Sequence, residues 1–244
     1  MTTLFVTVVA IALGEVAGLA VNGLARALLD ATLVLVLLLQ AGHSRGAVID
    51  RLLLVLTLLP LTRLLGLVLG GLGWPLAATT AAVGVPVLVA AALTCRHLRL
   101  PSEAISLRLR EPGLQLVIAL SGLPLGMAGF ALLRPAAAYP PGLLSAALLV
   151  VFSGFLEELM FRSLLQSQAV AAFGAPLGLT LTTGLFTTLY LGTLNPAYAV
   201  FMGAVGLFFG YCVYKTNSVW GVVAAHSLLK VMLLLLLPTI MVAR

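Results

Sequence analysis

Long apolar runs without a single polar break dominate this chain, among them LVLVLLL at 33–39 and MLLLLL at 232–237. A soluble helix needs polar residues on its outer face, and a transmembrane barrel strand alternates apolar with polar over about ten residues. Neither pattern accommodates such runs. Charged residues make up 8% of the 244 residues, whereas a soluble domain carries about 25%. That composition excludes a soluble globular enzyme, a disordered tail and a nucleic-acid binder. The net charge of +6 reads as loop charge facing anionic lipid. The expected fold is all-α, a polytopic integral membrane bundle of about eight to nine transmembrane helices.

About 20 apolar residues cross a hydrocarbon core of about 30 Å. Candidate spans lie near 3–22, 27–41, 51–72, 76–95, 114–133, 143–171, 176–193, 197–214 and 218–238. The second is short and reads equally as half of a broken hairpin with the first, which leaves eight. Turn chemistry separates the spans: GHSRG at 42–46, GWP at 73–75, PAAAYPPG at 135–142, FGAP at 173–176 and NP at 195–196. No Lys or Arg precedes Arg26, so the N-terminal stretch lacks the basic start of a signal peptide and is expected to be a retained membrane helix. With no hydrophilic linker, 1–244 reads as a single membrane domain. Its N-terminal helices occupy 1–95, and 96–238 carry the motifs described below.

Seven basic residues, Arg45, Arg51, Arg96, Arg99, Arg108, Arg110 and Lys215, share one side when nine spans are counted. Arg26, Arg134 and Arg244 fall on the other. The basic side is expected to face the cytoplasm, with the C-terminus outside. A bacterial cytoplasmic membrane is the expected location. Small residues four apart (Gly14/Gly18, Gly66/Gly70, Gly206/Gly210) suit close helix packing in lipid. Cys95 and Cys212 stand alone and read as small apolar helix residues.

Ionisable residues inside spans are costly and functional by default. Here they are Glu15, Arg63, Glu157, Glu158, Arg162, His226 and Lys230. Glu15 and Arg63 are isolated and can pair with each other. Three charges crowd EELMFR at 157–162 within a long apolar helix. Glu158 and Arg162, four apart, can form an ion pair. Glu157 is rotated about 100° from Glu158 and finds no partner on its own helix. Such a carboxylate can act as a base on water; the alternative is a structural charge triad locking helices together. Counting back from the turn at Phe173–Gly174 puts Glu157 level with Tyr190. That phenol reads either as its hydrogen-bond partner or as an interfacial belt residue. His226 and Lys230 share one face of the last span. No HExxH or HxxxH occurs, and one intramembrane His with two Glu is a sparse zinc set. Neither metal nor cofactor is expected.

The order EExxxR, then Phe-xxx-polar, then His-xxx-polar resembles the CPBP family of intramembrane proteases, which includes the CAAX prenyl endopeptidases and bacterial Abi proteins. The resemblance covers roughly 96–238. The first motif matches fully at Glu157–Arg162, including the aromatic before the Arg. In that family the first Glu works with a His to activate the water that attacks the scissile carbonyl. That His ends an FxxxH motif; Phe186 matches, and Tyr190 occupies the His position. A further His, followed four later by Asn, stabilises the oxyanion; His226 matches, and Lys230 occupies the Asn position. The resemblance implies a glutamate-type intramembrane endopeptidase of membrane-associated proteins, with Glu157 as base, Glu158 and Arg162 supporting it, and His226 with Lys230 at the oxyanion. Lys230 can serve the oxyanion or bridge to Glu157 and silence it. The two departures keep a second expectation open, a catalytically degenerate relative that binds a partner membrane protein such as a sensor kinase or a secretion component. A transporter would use similar buried charges, but the inverted repeats of many carriers are not visible.

Overall fold

The computed structural model describes residues 2–17, 23–43, 47–135 and 143–242. Among the described residues every regular element is helical. In chain order they are α1 (Thr2–Ala17), α2 (Gly23–His43), α3 (Ala47–Leu56), α4 (Leu58–Gly70), α5 (Leu76–His97), α6 (Pro112–Leu120) and α7 (Gly122–Leu133). Then follow α8 (Leu143–Glu158), α9 (Gln166–Phe173), α10 (Ala175–Thr188), α11 (Pro196–Thr216), α12 (Trp220–Val231) and α13 (Leu237–Val242). Wide π-helical turns at Leu159–Leu165 and Met232–Leu236 join α8 to α9 and α12 to α13.

Among the described residues six stretches have the length and apolar composition to cross a bilayer: Gly23–Ala41, Val48–Gly70, Ala78–His97, Pro112–Leu133, Pro196–Thr216 and Trp220–Ile240. The second expected span is long enough to cross as a helix of its own. Residues 18–22 before it lie outside the described residues, as do most of the expected turns at 42–46 and 135–142. Helix α10, at 14 residues, falls short of about 20. The run from Leu143 to Phe173 is long enough but carries Glu157, Glu158 and Arg162.

Local sequence explains the helix ends that matter for the site. Gly174, at φ +78°, breaks the chain between α9 and α10 in a conformation that favours glycine. Asn195 caps α11, its side chain accepting the Tyr198 N–H at 3.0 Å, and Pro196 follows where a missing N–H costs nothing. Asn217 ends α11 at φ +48°.

Helix α12 is the centre of the bundle, packed by α6, α7 and α8. Its approach to α7 depends on Gly122, where a Cβ would collide with the Ala225 carbonyl. Across the other contact, a Cβ at Gly154 of α8 would meet Ser227 Oγ at 3.0 Å. Trp220 and Val219, at the start of α12, donate to the Leu107 and Ser106 carbonyls, tying the 101–111 loop down. The N-terminal helices pack on the motif helices through α3 with α9, α5 with α8 and α1 with α10.

Spaced glycines divide in outcome. Gly206 and Gly210 face Phe186 and Gln166 across a tight contact, and Gly14 faces Leu29. Gly66 and Gly70 look into open space, so they do not bring helices together. Gly18 lies outside the described residues. Cys95 and Cys212 are free and half-buried.

Glu15 and Arg63 do pair, at 2.7 Å, and Arg26 joins them at 3.0 Å on the other carboxylate oxygen. Arg26 also reaches the buried Asp30 at 3.4 Å. Arg63 extends to the Leu189 carbonyl at 3.4 Å. A cavity of about 500 Å³ opens beside this network, bounded by Thr62, Val83 and Gly192.

Candidate active site

The site is built on the last turn of α8, where α-helical winding gives way to the π turn after Glu158. Adjacent carboxylates leave that turn in different directions. Glu158 points inward and is fully buried; Glu157 keeps 28% of its side chain accessible.

Glu158 meets a neighbour from each of two elements. Arg162, one turn on, brings Nε to 3.4 Å from Oε2, an ion pair without hydrogen-bond alignment. From α12, His226 Nδ1 lies 2.6 Å from Oε1. Nε2 has no hydrogen-bond partner and sits 3.6 Å from Glu157 Oε2.

Glu157 is gripped from α12 and from the segment just past α10. Lys230 Nζ donates to Oε1 at 2.5 Å, and the Tyr190 hydroxyl donates to Oε2 at 3.0 Å. Tyr190 stands just past the C-terminal end of α10, not inside a span as expected, and its ring lies edge-on to Phe186. Phe186 is the floor shared by both halves. It covers Arg162, with the guanidinium carbon 4.6 Å from the ring centre, and it packs edge-on to Phe161 and His226.

All six residues singled out in the sequence, Glu157, Glu158, Arg162, Tyr190, His226 and Lys230, thus fall in one cluster. Two acids, Glu157 and Glu158, face two cations, Lys230 and Arg162, with His226 between the acids. Three participants went unnoticed in the sequence. Ser153 accepts from Lys230 at 3.1 Å; it lies four residues before Glu157, on the same helix face. Gln166 lies four after Arg162 and donates to the Gly210 carbonyl. Tyr198 stacks edge-on against Tyr190. Helical spacing from an identified charge would have flagged the first two. Among the described residues no group of three His, Cys, Asp or Glu side chains is arranged to hold a metal ion.

Comparison with known families agrees with the motif reading. A family model described as type II CAAX prenyl endopeptidase Rce1-like matches residues 139–232. The match spans all three motif helices and supports membership of the CPBP family. No curated protein and no solved structure matches the chain. The apolar helices make the chain an integral membrane protein, and its residues 139–232 are similar to the CAAX-protease type.

Proposed function

We propose that the chain is a membrane-embedded endopeptidase that hydrolyses peptide bonds of membrane-associated proteins with water polarised by Glu157. The observation that carries this reading is convergence: groups from α8, α12 and the end of α10 meet on one carboxylate that remains partly accessible. Water held against Glu157 would attack the scissile carbonyl carbon and lose a proton to the carboxylate. The oxygen would become an oxyanion, the C–N bond would break, and the proton would pass to the leaving amine.

Lys230 has a defined part in this scheme. In the resting site its ammonium occupies Glu157 Oε1. An incoming carbonyl oxygen competes for the same donor, and as charge grows on it Lys230 shifts to the oxyanion and releases Oε1. Tyr190 orients the other oxygen; a phenol is a poor base at neutral pH and does not replace the expected His. Glu158, anchored by Arg162, fixes the His226 ring so that Nε2 faces Glu157. The same reading takes 1–244 as one membrane domain crossing eight or nine times, with the basic loops in the cytoplasm and a bilayer-held peptide segment as substrate.

A second reading has its own observation. The two residues that depart from the family pattern each occupy one oxygen of Glu157. A carboxylate neutralised in this way suits a catalytically degenerate protein that binds a membrane partner. Purified protein and Glu157→Gln should be compared on a fluorogenic membrane-peptide substrate. The hydrolase predicts turnover by the parent alone. Equal rates from both proteins would end it, and activity that emerges only in the Tyr190→His, Lys230→Asn double variant would select the degenerate reading.

A further inference from the structure

A smaller cavity, about 170 Å³, lies between the 101–111 loop and the C-terminal end of α11. It is lined by Arg162, Gln166, Ser106, Ser167 and Asn217. The Arg162 side chain is inaccessible, and its Nη1 and Nη2 have no hydrogen-bond partner in the protein. Phe186 closes one face of the guanidinium, and a Cβ at Gly206 would come within 3.1 Å of Nη2, so the fork is held in a slot. Gln166 is also buried; its amide nitrogen donates to Gly210, which leaves Oε1 as an unpartnered acceptor. Unmet buried donors on a cation are costly.

We infer that this cavity binds a phosphate group, with the Arg162 fork donating to its oxygens and Gln166 Oε1 accepting from its P–OH. A planar guanidinium suits such an oxyanion. A plain carboxylate fills the fork but offers no hydrogen to Gln166. The volume is several times the ~30 Å³ share of one water in the liquid, so phosphate fits. Arg108, Arg110 and Lys215, exposed on the same loop and helix end, draw anions to the mouth. The phosphate can come from solution or from a lipid phosphomonoester. The inference does not depend on peptide cleavage.

Thermal unfolding of the full-length protein in detergent tests it, with sodium phosphate titrated against sodium chloride at matched ionic strength. A saturable rise in Tm is expected, with acetate needing at least tenfold more for the same effect. Ser167→Leu, which fills the cavity, should abolish the saturable part. Gln166→Leu should erase the preference of phosphate over acetate, and it serves as the readout if Ser167→Leu does not fold. Nanodiscs of phosphatidylcholine with or without phosphatidic acid separate the sources: stabilisation by that lipid, lost in Ser167→Leu, assigns the headgroup, and stabilisation by the inorganic ion alone assigns the free anion. An absence of saturation with both phosphate sources would overturn the inference and leave the cavity to water. So would an identical response from parent and variants.

Discussion

Two groups of charges lie within this bundle, and they are built differently. In the N-terminal group, both oxygens of Glu15 are taken by Arg63 and Arg26, and Arg26 is shared with Asp30. Among the described residues, none of these four has a buried polar atom left without a partner. In the C-terminal group, Glu158 Oε2, the Arg162 nitrogens and His226 Nε2 all lack hydrogen-bond partners. Intramembrane charge alone is therefore a poor guide to chemistry. A saturated network holds helices together, whereas a network with spare valence can engage a ligand or a reacting group.

The largest test of this contrast is Glu157→Gln. Under the hydrolase reading, turnover of a membrane-peptide reporter should fall by about 10²–10⁴-fold, the usual worth of a positioned general base. Melting in detergent should fall as well, since Lys230 loses its carboxylate, so turnover is read per folded molecule. Glu15→Gln should lower stability alone. It strands two cations, and loss of a buried partner costs about 3–5 kcal/mol, with the low end expected because Arg63 is 34% accessible. Denaturant unfolding in mixed micelles measures the loss, and activity per folded molecule should be retained. A collapse of activity there would show that the N-terminal network reaches the site through the Leu189 carbonyl. Gly122→Val tests packing alone: overpacking costs about 1–3 kcal/mol, read as a lower denaturation midpoint with the α7–α12 contact disturbed. The smallest effect is expected at Glu103, in the exposed loop. Its backbone and the Ser102 hydroxyl, then Arg108, hold its carboxyl below the usual range. Its contribution is thus present at neutral pH and fades as acid takes the solution through the folded-state value. Glu103→Gln should flatten that acid-side change in loop proteolysis and leave both charge groups untouched.

The bundle and its site were unequally legible in the sequence. Apolar runs announced the helices, and FGAP and NP marked turns that the chain adopts at Gly174 and Asn195. The Glu158–Arg162 pair followed from spacing, because both residues lie on one helix. Counting from the turn brought Tyr190 level with Glu157, yet could not say that α10 ends two residues earlier. The direction of Lys230 was open, since a side chain four residues past His226 can reach several groups across a helix interface. Gly66 and Gly70 were misleading for a related reason: spacing identifies a smooth face, not what covers it. Helix-to-helix register is set by packing over the whole bundle, and no local pattern encodes it.

One consequence follows from the π turn at Leu159–Leu165. Wide turns of this kind arise from a single extra residue in an α-helix. Removing one residue before Arg162 would restore ordinary winding and leave the helix from Gln166 onward facing as it does now, while Arg162, inside the turn, would change its spacing from Glu158 with both acids in place. Ancestral and descendant chains could thus gain or lose the arginine-side chamber in one indel, without altering the acid pair itself.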